Sequence, residues 1–290
     1  MAYNTHDVRF LFSCFRRGAS FKKTLVIGRS LVWVSAGELC EAASEFGIKL
    51  SVASAEEILK SKNGYCEPLF ELLGAEVVKS MDVSDYEGAG LIHDLNQPLP
   101  DTMLERFTAV VDGGSLEHVF NIVQAFKSCM ELTAEGGSFI SMATANNFLG
   151  HGFHQPSPEF FFGALNPENG FGVKRVLMHE NKKNAPVFEV MDPRQFGGRV
   201  TLCNRVPVFL KAWAVREKVK PLFEVYPQQP DWEDLWQKKA NGGQKLSLKA
   251  KARNMVQKIL PGLLSEYQRI RIEGSQETGF KAGCFKQTTY

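Results

Sequence analysis

Residues 107–120, FTAVVDGGSLEHVF, run from a continuous apolar strand through an acidic, glycine-rich turn into a segment carrying Glu117 and His118. A strand that is apolar on both faces belongs in a sheet covered on both sides, as parallel sheets are. In such a sheet ligands bind beyond the carboxyl ends of the strands, so the turn at Asp112 is the first place to look for chemistry.

The same punctuation recurs along the chain. KTLVI at 23–27 is rich in β-branched residues and ends at Gly28. Residues 76–81 read as a strand closed by Asp82, and 90–92 as a short apolar piece ending in His93-Asp94. Gly136-Gly137 turns the chain into a strand over 138–142. Helices are expected at 35–46, with Ser35 as cap and Gly47 as stop, and at 67–73, with Pro68 in the first turn. A third is expected at 119–132, with Phe120, Val123, Ala125, Phe126, Met130 and Leu132 on its apolar side. Strands alternating with helices predict an α/β fold, a Rossmann-like, doubly wound and mainly parallel sheet. Candidate strands follow at 174–178, 187–191 and 208–213, the last two able to form the antiparallel pair that closes a seven-stranded sheet.

This reading makes 1–22 an N-terminal extension and 23–215 the main domain, with a loop at 145–172 rich in aromatics and glycine. Residues 216–290 form a peripheral helical C-terminal extension. Within it, 247–260 reads as a basic helix stopped by Pro261, packed on its own domain or against a second subunit in a homodimer.

Bulk properties narrow the partners. With 290 residues, 44% hydrophobic and 23% charged, the chain has the composition of a folded globular protein. A net charge of +2 is too small for a nucleic-acid footprint over the whole chain. Six cysteines without a CxxC pair point to reduced thiols and a cytoplasmic setting. Arg9, Arg16 and Arg17 interrupt any signal-peptide core, and no run approaches the roughly 18 to 20 apolar residues of a membrane span.

At the strand ends, Gly28 lets a ligand approach the backbone, while Asp82 and Asp94 supply acceptors for ribose hydroxyls and an adenine amine. The same carboxylates can equally cap their own turns. The first turn reads Gly28-Arg29-Ser30, neither GxGxxG nor GxxxxGK[ST], so a phosphate cradle fits less well than an adenosine site.

The succession TLVIG, ELLGAEVVKSMDVSDYEGAGLIHDLNQPLP, FTAVVDGGSLEHVF, GGSFI and ANNFLGHGFHQPSPEFFF resembles class I S-adenosylmethionine-dependent methyltransferases. It looks closest to a bacterial methyltransferase-like group whose substrates are unassigned. The resemblance covers roughly residues 20–215, and LEHV is its most recognisable piece. It implies S-adenosylmethionine as cofactor, with Gly28, Arg29 and Ser30 at its methionine part and Asp82 and Val83 at the ribose. Asp94 and Leu95 would meet the adenine, and Asp112 and Gly113 the region of the sulfonium. The family's glycine-rich first turn is here reduced to one glycine, and the long interval from Gly28 to Asp82 implies an inserted helix.

On the acceptor side, the segment 145–162 sets Asn146, Asn147, Gln155 and Glu159 among Phe153 and other aromatics. That mixture suits a polyhydroxylated ligand. A hydroxyl acceptor must lose a proton, and His118, His151 and His154 are the candidate bases. His118 stands at the expected helix start, where the dipole would keep the imidazole neutral. His151 and His154 stand three apart with Glu159 following, but Gly152-Phe153 and a loop geometry leave no metal site expected. The favoured function is O-methylation of a sugar or glycosylated intermediate. N-methylation of a small natural product and a non-catalytic cofactor-binding partner protein are the alternatives.

Overall fold

The computed structural model describes residues 2–103, 106–196, 199–229, 279–280 and 283–290. Among them a nine-stranded sheet forms the centre. In chain order its strands are β1 (Lys23–Ile27), β2 (Val77–Asp82), β3 (Leu91–Ile92), β4 (Phe107–Asp112) and β5 (Thr133–Thr144). They are followed by β6 (Phe171–Glu180), β7 (Val187–Val190), β8 (Val208–Arg216) and β9 (Phe285–Thr288). The order across the sheet is β9-β7-β6-β8-β5-β4-β1-β2-β3.

Strands β3, β2, β1, β4 and β5 are parallel, and β8 inserts antiparallel between β5 and β6. The sheet is thus the expected Rossmann-like one, with two further antiparallel strands on its β6 edge. The antiparallel partners of β8 are β5 and β6, however, and not the 187–190 strand. Residues 171–180 are long enough to pair along the whole of β8, leaving β7 to the outer edge of β6.

Register puts the functional end in place. Ile27 lies opposite Met81 and Asp112, Asp82 opposite Ile92, and Asp112 opposite Ser141. The strand order reverses between β1 and β4, and ligands bind at such a switch point. The carboxyl ends of β1 to β4 therefore open on one crevice.

The helices of the described residues are α1 (Thr5–Arg16), α2 (Ala36–Glu45), α3 (Val52–Lys60), α4 (Glu67–Leu72), α5 (Ile122–Leu132), α6 (Pro158–Ala164) and the single turn α7 (Pro193–Phe196). Ser35 and Glu38 form a capping box that starts α2. The long interval after Gly28 holds α2, α3 and α4, so the inserted helix is there.

Alternation along the strands divides the core into two. Leu25, Ile27, Val110, Phe139 and Leu210 face α5 and α6 through Phe126, Met130, Phe161 and Phe162. Val26, Val111, Ile140, Leu177 and Trp213 face α1, α2 and α4 through Phe12, Leu39, Ala43 and Phe70. The expected helix at 119–132 begins later, because 116–118 is a separate 3-10 turn. Phe120 and Val123 are exposed.

Both ends of the described chain belong to this body. Helix α1, capped by Asn4 and Asp7, buries Val8, Phe10, Leu11 and Phe12, so 1–22 is no mere extension. The last residues form β9 on β7, so the described part of 216–290 is not a peripheral helix. The basic helix expected at 247–260 lies outside the described residues. Among the described residues no helix is long and apolar enough to cross a membrane.

A polar contact fastens α1 to the sheet. Lys211, fully buried on β8, donates to the Asp7 carboxylate. Burial lowers the Lys211 pKa and Asp7 opposes that shift. Beside the pair, His6 stacks on His179 with ring centroids 3.9 Å apart, and His6 Nδ1 lies 2.7 Å from the Tyr290 hydroxyl.

Removing one member of a buried ion pair strands the other charge, at a cost of about 3–5 kcal/mol. Asp7→Ala is expected to lower the unfolding free energy by about that much. The double variant Asp7→Leu/Lys211→Met should lose clearly less. Urea unfolding at pH 7 measures both, and a double variant no better than Asp7→Ala would refute the coupling.

Candidate functional site

The turn after β4 is built around Asp112, whose carboxylate is fully buried. One oxygen accepts the backbone N–H groups of Gly114, Ser115 and Leu116 at 3.1, 2.7 and 3.3 Å, and the other accepts the Ser141 hydroxyl at 2.7 Å. Burial raises the Asp112 pKa, and these hydrogen bonds act against the rise. Asp112 and Gly113, expected at the cofactor, do not line the crevice. Gly113 backs onto the Tyr3 ring and Ser30, where a Cβ would collide with Tyr3.

In front of this turn lies a pocket of about 290 Å³. Its walls come from Ile27, Gly28 and Arg29 after β1, Met81 to Val83 after β2, His93 to Asn96 after β3, and Ser115, His118 and Val119 after β4, with Glu87 at the side. Gly28, Arg29, Asp82, Val83, Asp94 and Leu95 thus share one cavity, while Ser30 is buried behind it. Gly28 has φ +67°, and a Cβ there would overlap the Ser115 Oγ. That hydroxyl donates to the Ile27 carbonyl at 2.6 Å, and the Gly28 N–H donates to the Met81 carbonyl at 2.8 Å.

Arg29 does not reach for a ligand. It donates to Glu67 at 2.7 Å and to the Glu87 carbonyl at 2.8 Å, and its guanidinium stacks 4.0 Å above the Tyr65 ring. Asp82 accepts from the Val83 N–H at 2.6 Å. Asp94, fully exposed, accepts from the backbone and side chain of Asn96, which lowers its pKa. Both carboxylates therefore shape their own turns, and both residues line the pocket.

Beyond His118 the pocket meets the segment that follows β5. The His154 N–H donates to the Glu117 carbonyl at 3.1 Å, His154 Nε2 lies 2.9 Å from the Phe120 carbonyl, and Phe153 packs edge-on against Phe120. These contacts bring His151 to Glu117, with its Nε2 3.6 Å from a carboxylate oxygen. The rings of His118 and His151 lie 5.1 Å apart. Glu117, His118 and His151 hold their ligating atoms within 4.8 Å of one another.

Glu117 was not among the candidate residues, and it is the most confined group of this trio. One of its oxygens accepts the Thr144 N–H and hydroxyl, while the other is buried with no hydrogen-bond partner among the described residues. Burial, followed by the nearby Asp112 charge, pushes its pKa up to about 8. His118 ends a 3-10 turn and not the start of a long helix, so its lowered pKa comes from burial and His151. His154 turns away to the Phe120 carbonyl and is not part of the trio.

The polar residues of the acceptor segment are largely occupied. Asn146 and Asn147 donate to Asn204, and Asn147 adopts φ +65°. Gln155 accepts from the Phe148 N–H, and Glu159 accepts from the Val200 N–H. Phe153, by contrast, is 68% exposed and Phe120 74% exposed.

No protein-family model and no curated protein matches the chain. Among solved structures it is similar to a magnesium protoporphyrin IX methyltransferase from Synechocystis PCC 6803 with bound SAM, at 12% identity and TM-score 0.38, over 73% of this chain and 79% of that one. It is also similar to N-methyltransferase NodS from Bradyrhizobium japonicum, at 12% identity and TM-score 0.36, over 72% of this chain and 96% of that one. A branched-chain polyamine synthase from Thermus thermophilus, in complex with 5'-methylthioadenosine, is 12% identical with TM-score 0.39, over 79% of this chain and 60% of that one.

Gly28→Ala forces a side chain into a left-handed conformation and into the Ser115 hydroxyl. It is expected to cost about 1–3 kcal/mol of stability in urea unfolding. Gly18→Ala, also at positive φ but with open space around its Cβ position, should cost less. An equal cost at both positions would show that the Ser115 contact adds nothing.

Proposed function

We propose that this chain is an S-adenosylmethionine-dependent methyltransferase acting on a hydroxyl of a small acceptor with an apolar body. The observation that carries the reading is the strand-end pocket itself, where bare Gly28 backbone, the carboxylates of Asp82 and Asp94, and the trio containing His118 meet.

The residues fit the cofactor. The ideal Cβ position of Gly28, filled by the Ser115 hydroxyl, lies 3.9 Å from an Asp82 oxygen, so the glycine lets the β1 turn, Ser115 and the Asp82 carboxylate meet at one wall of the pocket. Asp82 offers acceptors for a ribose diol and Asp94 for an adenine amine, with Leu95, Met81 and Ile27 as apolar walls. Asp82, Glu87 and Asp94 make the lining acidic, which favours a cationic ligand. Among the described residues the lining's only arginine or lysine is Arg29, and it is held by Glu67 and Glu87, which disfavours a pyrophosphate-bearing dinucleotide.

The bound cofactor supplies an electrophilic methyl group. What the chain contributes is position: the β2 and β3 turns hold the adenosine end, and Glu117, His118 and His151 hold the acceptor hydroxyl at the other end. Phe120 and Phe153 offer an exposed aromatic surface beside His118 for the rest of the acceptor. A sugar is the weaker candidate, because Asn146, Asn147, Gln155 and Glu159 already hold their own segment.

Isothermal titration with S-adenosylhomocysteine tests the reading. One saturable site is expected, with Asp82→Asn binding at least about tenfold more weakly, as loss of a charge-assisted hydrogen bond implies. NAD should not bind. Absence of S-adenosylhomocysteine binding, or binding indifferent to Asp82→Asn, would overturn it.

A further inference from the structure

The geometry points to a divalent transition-metal site formed by Glu117, His118 and His151. We infer that these side chains bind an ion of the Zn²⁺ class, with open coordination positions on the side of His118 that borders the strand-end pocket.

The donor atoms lie within 4.8 Å of one another, and the closest named pair, His151 Nε2 and Glu117 Oε1, is 3.6 Å apart. Metal bonds of about 2.0–2.2 Å bring neighbouring ligand atoms to separations of about 3–4 Å. A small rotation of His118 and His151 closes that difference. Both are exposed enough to make it, with the His151 side chain 43% exposed.

Glu117 is an independent indication. Its side chain is 1% exposed, and Oε2 is buried without a donor among the described residues. A carboxylate oxygen left that way is costly unless a proton or a cation meets it. Oε1, the oxygen 3.6 Å from His151 Nε2, also accepts the Thr144 N–H and hydroxyl, contacts that hold the carboxylate in one orientation beside the histidines.

The local backbone is also shaped for close approach. A Cβ on Gly152 would lie 2.7 Å from the Glu117 carbonyl oxygen and 3.3 Å from His118 Nδ1, so only a bare backbone lets this segment reach the turn. The His154 N–H bond to the Glu117 carbonyl then fixes His151 over the carboxylate.

Ligand chemistry selects the metal class. Two imidazoles and one carboxylate suit zinc and its first-row neighbours, whereas magnesium and calcium prefer all-oxygen sites. Three protein ligands leave a fourth position for water or an oxygen of the acceptor. The ion would hold the acceptor hydroxyl for the trio, but the metal claim stands whether or not the pocket takes S-adenosylmethionine.

The full chain, treated with chelator and dialysed, is titrated with Zn²⁺ by calorimetry and with Co²⁺ by visible absorption. One equivalent of each is expected, with Co²⁺ showing ligand-field bands of a low-coordinate site. Glu117→Gln, His118→Ala and His151→Ala should each weaken binding at least about tenfold. Should Glu117→Gln fail to fold, the two exposed histidine positions still decide the matter, with circular dichroism confirming their fold. Lack of saturable binding, or wild-type affinity in both histidine variants, would overturn the proposal. S-adenosylhomocysteine titration of the metal-free protein reports separately on the pocket.

Discussion

A buried carboxylate at the end of β4 sets the geometry of the site. Asp112 is surrounded by four donors, three of them consecutive backbone N–H groups and the fourth a hydroxyl from β5. Burying such a charge is tolerable only when its lone pairs are satisfied, so the chain after Asp112 must curl back over it. Everything downstream takes its place from that curl. Ser115 is delivered to the Ile27 carbonyl beside Gly28, Glu117 to Thr144, and His118 to the pocket wall. Asp112 thus acts behind the pocket, positioning the residues that face it.

The parallel half of the sheet was legible because its signals are local. KTLVI and FTAVVD are apolar enough to be buried on both faces, and Gly28 after the first and Asp112 at the end of the second stop the strands. The Ser35 cap and Gly47 stop located α2 to within a residue. Helix α1 carries local signals too, an Asn4–Asp7 capping box and apolar Val8, Phe10, Leu11 and Phe12, and only the burial of its polar residues is not local. Asp7 and His6 are polar, and they become core residues only through Lys211, His179 and Tyr290, which are far away in sequence. Strand β9 is short and polar outward, so only its pairing with β7 reveals it.

The site divides in the same way. Gly28, Asp82 and Asp94 could be named from sequence because the ends of parallel strands converge in any sheet of this type. The composition of 145–162 was less instructive, since amide groups look alike whether they face a ligand or their own backbone. Asn147 at positive φ and Gln155 against Phe148 show that here they face the backbone. Glu117 carried one available signal, its place beside His118 just past a strand-end turn. Its meeting with His151 depends on the β4–β5 register and on Gly152, which no spacing rule expresses.

The central claim is that the β1–β3 strand ends hold an adenosine moiety beside the Glu117–His118–His151 trio. A crystal structure of the protein with S-adenosylhomocysteine tests it most directly. Ribose hydroxyls are expected on Asp82, adenine between Asp94 and Leu95, and the sulfur end toward His118. Density for the ligand elsewhere, or an adenine remote from Asp94 and a ribose remote from Asp82, would contradict it.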